Sequence, residues 1–249
     1  IRKMKAIEGD IITQGKKTEV ISLKNIDANK SINLSRQIFS RIPGLNIWES
    51  DGSGLQIGLG GRGLNPSRNV NFNTRQNGYD ISADALGYPE SYYTPPTEAV
   101  EEIQLIRGAA SLQFGPQFGG LINYKLKKGK ANKKAEILVR HTIGSFGLNN
   151  SFLSLSGTIK SWNYFIYGSY KFGNDWRPNS NFKTTNSYIY LSKTISKKTK
   201  ISIEFTKMYY LAQQAGGLTD QLFNLNPDTS VRSRNWFRVN WNLGAITLN

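Results

Sequence analysis

The sequence has no cysteine and a single histidine in 249 residues, and only 17 acidic side chains against 32 Lys and Arg. Without cysteine there is no disulfide framework and no thiolate metal site, and the compartment stays open. No His/Asp/Glu cluster shows metal-ligand spacing. The one histidine, His141, lies mid-strand in an alternating stretch and reads as a structural sheet residue. No G-x-S-x-G elbow occurs. The expectation is therefore no enzyme, no catalytic residue, no metal and no cofactor. No run of 18 apolar residues occurs, which excludes a transmembrane helix but not a membrane β-barrel. A signal-peptide h-region is also missing. The chain opens on Ile1-Arg2-Lys3 and stops at "LGAITLN", inside an apolar/polar alternation. It reads as a fragment cut at both ends.

What is present points to a basic, β-rich protein. Hydrophobic residues make up 38% and aromatics 12%, enough to bury a core. The 24 glycines and scarce helix-favouring runs lean towards strands. A formal charge of +15 suits a polyanionic partner: nucleic acid, an anionic membrane surface or an anionic ligand. Lys and Arg are spread along the chain, with small clusters at 125–134 and 197–200 that read as solvated surface. No RRM, KH or OB pattern appears, so nucleic acid is not an expected partner.

The chain divides by period. Residues 1–128 are irregular and read as a small mixed α/β domain. One amphipathic helix is expected within 31–44, capped by Ser31 and ended by Pro43-Gly44. Strands are expected at 55–59, 69–74 and 102–107, with an extra one possible at "EVISL" (19–23). The basic run 125–136 reads as a hinge.

Beyond it the period is two. "KISIEFTKM" (200–208) sets Ile201, Ile203 and Phe205 against Ser202, Glu204 and Thr206. "WFRVNWNL" (236–243) sets Phe237, Val239, Trp241 and Leu243 against Arg238, Asn240 and Asn242. With similar runs at 136–144, 148–159, 162–173 and 186–195, six strands of membrane-crossing length are expected. Short turns at 160–163, 196–200 and 243–245 fall on one rim. The connections 144–147, 174–182 and 211–231 fall on the other. Trp162, Tyr164, Tyr209, Tyr210 and Trp236 are candidates for an aromatic girdle. A soluble antiparallel sandwich carries the same alternation.

"GLGGRG" (58–63) matches G-x-G-x-x-G, but the following "LNPSRN" contains Pro66 and reads as a turn. A dinucleotide site needs a helix there. The glycines read instead as places of close backbone approach. Residues 76–96, "QNGYDISADALGYPESYYTPP", carry four tyrosines, three prolines and three acids without a Lys or Arg.

A composite pattern ties these features together. Ile42-Pro43-Gly44, Gly61-Arg62-Gly63, Ile106-Arg107-Gly108, Ser111, Phe114-Gly115 and Gly119-Gly120-Leu121-Ile122-Asn123 follow one another in order. The stretch 30–130 that contains them resembles the plug of TonB-dependent outer-membrane receptors, within the ferric-dicitrate and siderophore branch. Phe114 stands where that family has Tyr, and "RQNGYD" replaces its V-D-G.

The resemblance implies an α+β plug followed by antiparallel transmembrane strands, part of a barrel of about 22 strands. The expected division is a lead segment 1–29, the plug 30–130 and about six barrel strands over 131–249. It also implies a Gram-negative outer-membrane location and active import of an iron chelate, ferric citrate or a siderophore. Cobalamin, haem or a glycan is the alternative cargo, and a soluble β-rich binding protein the alternative class. The implied partners are TonB with the ExbB/ExbD energising complex, the chelate itself and outer-membrane lipid. No TonB box is identified in residues 1–20. The segment 76–96 would form plug apex loops, where prolines limit entropy and tyrosines offer rigid contact area. The expected ligand contacts are Asn65, Arg68, Tyr79, Tyr88, Tyr92, Tyr93 and Gln117 from the plug, with Arg177 and Gln214 from barrel loops. Arg62 and Arg107 are expected to anchor the plug to barrel glutamates, Glu204 among them.

Overall fold

The computed structural model describes all residues except 9–10, 14–16, 25, 50–53, 55, 84–89, 109–113 and 116–117. It separates into two compact units, Ile1–Lys127 and Lys128–Asn249.

The first unit opens with a short ribbon of β1 (Ile7–Glu8) and β2 (Ile11–Ile12). Its main sheet has five strands: β3 (Lys17–Ser22), β6 (Phe72–Gln76), β7 (Tyr79–Asp80), β8 (Val100–Arg107) and β9 (Gly120–Leu126), in the order β3-β8-β9-β6-β7. Only β6 and β9 run parallel. The pair β4 (Leu45–Glu49) and β5 (Ile57–Gly61) forms a separate hairpin. Strand β8 is interior, and Ile103, Leu105 and Ile106 are buried with Val20, Leu121 and Ile122 from its neighbours. The "EVISL" segment supplies most of β3, one of the two end strands of the sheet, and Arg2 adds an isolated antiparallel bridge to it at Val20.

Two local expectations are corrected here. Helix α1 covers only Ser35–Phe39. Ser31 does not cap it, because the Ser31 hydroxyl and amide both donate to the Asn29 side chain, at 2.6 and 3.1 Å. The Glu49 carboxylate instead accepts the Arg36 amide at 3.1 Å, placing a negative charge at the helix start. The expected strands at 55–59 and 69–74 begin two and three residues later, as β5 and β6.

"GLGG" lies within β5, followed by a turn and a 3-10 turn at Ser67–Asn69, so the glycine run leads into no α-helix. A Cβ on Gly60 would sit 2.1 Å from the Leu64 carbonyl oxygen, which is the close approach that selects glycine. Between β6 and β7, Asn77 and Gly78 both have positive φ, 48° and 96°, as a two-residue hairpin of the primed type requires.

The second unit is an antiparallel meander of six strands in chain order. They are β10 (Glu136–Ile143), β11 (Asn149–Ile159), β12 (Trp162–Gly173), β13 (Phe182–Ser196), β14 (Thr199–Gln213) and β15 (Trp236–Leu248). Strands β10 and β15 do not pair with each other, so the sheet is open. The expected tight turn at 243–245 is wrong. Gly244 and Ala245 pair with Phe205 and Glu204, and β15 runs on to Leu248. "LGA" carries neither proline nor a polar turn former, and nothing local breaks the pairing. Within the connection between β14 and β15 lies helix α2 (Asp220–Leu225), capped by Thr219, whose hydroxyl accepts the Leu222 amide at 3.2 Å.

On β13 and β14 small polar groups lie inward beside the buried rings of Tyr188, Tyr190 and Tyr210, and aliphatic groups lie outward, whereas β15 turns Phe237, Val239, Trp241 and Leu243 inward and exposes Arg238, Asn240 and Asn242. Ser192, Ser202, Glu204 and Thr206 are buried, whereas Ile189 (50% exposed), Ile203 and Phe205 face outward. Such a sheet fits a surrounding that is apolar on its outer face. The girdle residues Trp162 and Trp236 are exposed on that face. Tyr210 is not: it is fully buried on the other face, one residue out of phase with Tyr209.

Candidate functional site

The plug residues expected to meet a ligand are arranged by one turn. Asn65 Oδ1 accepts the Ser67 amide at 2.9 Å, closing a local turn ahead of Arg68. Arg68 and Asn69 both have positive φ, 48° and 57°. Buried Asn69 fastens the turn to β5 by accepting the Leu59 amide at 2.8 Å. The Arg68 carbonyl accepts the Ser91 amide at 2.8 Å, which brings 90–93 alongside.

The result is a three-residue cluster. The Arg68 guanidinium lies 3.1 Å from the Glu90 carboxylate. The Tyr92 hydroxyl donates to the same carboxylate, and the Tyr92 ring lies 5.5 Å below the guanidinium. Partial burial, and then the Glu90 carboxylate, raise the Tyr92 phenol above its ordinary pKa. Arg68 and Glu90 remain partly exposed. The cluster presents a guanidinium, a phenol and a carboxylate, a set suited to hydrogen-bonding a polar ligand. It has no nucleophile–base pair. Glu90 is one of the three acids of the 76–96 segment, and nothing in the sequence pairs it with Arg68.

Tyr79 and Tyr93 belong to a different place. Tyr93 is fully buried, and its hydroxyl donates to Gln76 Oε1 at 2.9 Å. Gln76 Nε2 donates onward to the Tyr79 hydroxyl at 2.5 Å. This tyrosine–glutamine–tyrosine chain sits at the far end of β6 from Arg68. Tyr93 therefore serves the core, and its burial removes it from the contact set. Tyr88 and Gln117 lie outside the described residues. Phe114, in place of the usual tyrosine, lies 4.7 Å from the Arg75 guanidinium. Arg75 also donates to Asn73, to the Gly78 carbonyl and to the Phe114 carbonyl.

Arg107 is held within the first unit. Its guanidinium grips Glu19 by two bonds, 2.7 and 3.2 Å, and donates to the Pro43 carbonyl at 2.8 Å. Glu19 and Arg107 sit on adjacent strands in diagonal register, since Lys17 faces Arg107 and Glu19 faces Leu105. The expected partner, Glu204, accepts the Tyr188 hydroxyl at 2.7 Å. Arg62 is exposed, with φ at 55°.

Arg177 also departs from its expected role. Its guanidinium donates to the carbonyls of Ala215, Gly216 and Thr229 through four bonds of 2.7–3.4 Å. Asn179 adds bonds to the carbonyls of Gln214 and Arg232. Arg177 is thus a clamp that folds the long β14–β15 connection onto the β12–β13 loop. Arg177→Ala should raise amide exchange across 214–235 about tenfold or more, the scale of charge-assisted bonds lost. Strands β12–β15 should keep their protection. Unchanged exchange in 214–235 would contradict the clamp.

Among the described residues, no three or more His, Asp or Glu gather as a metal site, and no helix is long and apolar enough to cross a membrane. His141 shares a 2.9 Å hydrogen bond with Ser151 on the outer face of the sheet.

Comparison with known proteins gives these features a context. Residues 10–121 match the family described as TonB-dependent Receptor Plug Domain. The ferric citrate transporter FecA, in its unliganded form, superposes with a TM-score of 0.76 at 20% identity, over 94% of this chain and 37% of that one. The ferripyoverdine receptor of the outer membrane of Pseudomonas aeruginosa gives 0.63 at 19% identity, over 79% of this chain and 25% of that one. A mutant of the ferric enterobactin receptor PfeA from the same organism gives 0.62 at 18%, over 80% and 34%. The chain spans between 25% and 37% of the length of these three relatives. At such identities the likeness is one of fold. Residues 10–121 are therefore similar to the plug domain of TonB-dependent receptors, and the chain shares with such receptors the fold of a plug followed by barrel strands.

Proposed function

We propose that the protein imports an iron chelate, ferric citrate or a siderophore, across the outer membrane of a Gram-negative bacterium. The observation that carries this reading is the match to a plug domain over residues 10–121, followed by a sheet whose β10–β14 expose Ile137, Val139, Leu155, Ile189, Ile203 and Phe205 while Ser192, Ser202, Glu204 and Thr206 are buried. The work is binding and gated passage, with no bond chemistry. TonB, energised through ExbB and ExbD by the proton gradient, draws on the plug and opens a path. Arg62 and Glu204 stand as proposed contributors to plug anchoring. Arg107 braces the plug's own edge strand.

The proposed ligand surface is Asn65, Arg68 and Tyr92, with Tyr79 at a second position. A net positive chain steers an anionic, oxygen-rich chelate inward. At the cluster, Arg68 shares its charge with Glu90. Arg68→Ala should weaken binding of ferric citrate to the full-length receptor about tenfold, the scale of one charge-assisted hydrogen bond. Competition among ferric citrate, ferric hydroxamate, haem and cobalamin tests the cargo. Binding only of a neutral or iron-free cargo, or an unchanged ferric-citrate affinity in Arg68→Ala, would overturn the electrostatic assignment.

A further inference from the structure

The outer face of the meander can be read as rows set by strand register. One row runs Ile137, Leu155, Ile166, Ile189, Phe205, Gly244. Towards the short turns, the next runs Gly157, Tyr164, Leu191, Ile203, Ile246. Towards the loops, the next begins apolar with Val139 and Leu153 but ends Ser187, Lys207, Asn242. The apolar band thus reaches the loop rim at β10 and withdraws from it by β15. A band of constant height crosses tilted strands in this way. On β13–β15 the outer face above the band mixes polar and cationic groups with Tyr209, Leu211 and Trp236.

That area is basic. Lys183 and Arg238 both face Leu211 in register, one on each side. Strand spacing sets their Cα atoms about 10 Å apart. Lys207 lies on the same face of β14, four residues from Leu211. All three cations are exposed. No carboxylate occupies the outer face of any of the six strands. An open concavity of about 510 Å³ lies here, lined by Leu211, Trp236 and Arg238. By contrast Lys193, at the opposite rim, lies 5.1 Å from the Trp162 ring.

We propose that Lys183, Lys207 and Arg238 bind the phosphate-bearing headgroup of an anionic lipid, with Leu211 and Trp236 against the start of its acyl chains. The charge is complementary, the cations stand just above the apolar band, and the concavity has one cationic and two apolar walls. This site rests on the membrane reading given above, but not on the identity of the cargo. It places a lipid contact beside the Arg177-clamped loops.

The test uses the full-length receptor purified in detergent, with native mass spectrometry and thermal unfolding as readouts. The probes are dioleoyl phosphatidic acid, dioleoyl phosphatidylcholine and inorganic pyrophosphate. Phosphatidic acid should bind and raise Tm more than phosphatidylcholine. The triple variant Lys183→Ala/Lys207→Ala/Arg238→Ala should lose at least tenfold in affinity for it, and Lys193→Ala should lose none. Equal retention of the two lipids, an unaffected triple variant, or pyrophosphate matching phosphatidic acid would overturn the site. A receptor that stays monodisperse without detergent would overturn the membrane reading, and this site with it.

Discussion

Arg107→Ala should release the N-terminal edge strand of the plug and lower plug stability by about 3–5 kcal/mol, the usual penalty for halving a buried ion pair. The side chains of Arg107 and Glu19 are only 5% and 12% exposed. Removing the guanidinium strands a nearly buried carboxylate and also leaves the Pro43 carbonyl without its donor. Among the described residues, strand β3 pairs as a strand only with β8, and on its other side only Arg2, bridged to Val20, and the Met4 amide, which donates to the Thr18 hydroxyl, replace part of the grip. The second ion pair along this edge, Arg2–Glu102, is exposed on the arginine side and contributes far less. Arg107→Lys should fall between wild type and alanine, because an ammonium cannot reproduce the two-pronged contact. Hydrogen exchange of residues 17–22 and 100–107 in the full-length receptor reads the effect directly. Wild-type protection in Arg107→Ala would contradict it.

The second large effect separates a membrane sheet from a soluble one. Ile189 and Phe205 face each other across β13 and β14, in the middle of the apolar band, and are 50% and 45% exposed. On a soluble sheet, arginine at an exposed position of this kind changes stability by about 0.5 kcal/mol or less. In a bilayer it costs about 2–4 kcal/mol near the midplane and about 0–1 near the interface. Ile189→Arg should therefore destabilise the receptor folded into lipid vesicles by that larger amount. Asn240→Arg, on the same face above the band, should be nearly neutral. Equal stability of the two variants would remove the membrane assignment.

The alternating strands were legible because burial of every second residue leaves a period that survives in a single sequence. Ile201, Ile203 and Phe205 against Ser202, Glu204 and Thr206 is such a case. The plug was legible through its glycine and arginine turns, whose backbone demands restrict residue choice. What escaped depends on partners distant in sequence. Glu19 meets Arg107 only through the register of β3 on β8. Arg177 reads as a ligand contact in the sequence because the carbonyl acceptors that hold it leave no mark there. Tyr93 reads as a ligand contact in the sequence, which gives no sign that Gln76 accepts its hydroxyl inside the core. Ser31 looked like a helix cap, but a nearer acceptor, Asn29, claimed it. Where alternation met an ambiguous run, as at "LGA", pairing with β14 decided the outcome.

Import itself is tested most directly by uptake of radiolabelled ferric citrate into cells that express the full-length receptor as their only ferric-citrate route, with TonB present or deleted. Iron should accumulate in the first strain, and accumulation should stop when TonB is deleted or the proton gradient is collapsed. Accumulation that continues without TonB would contradict a TonB-driven importer. Failure to accumulate ferric citrate or any other ferric chelate with TonB intact would contradict the cargo class.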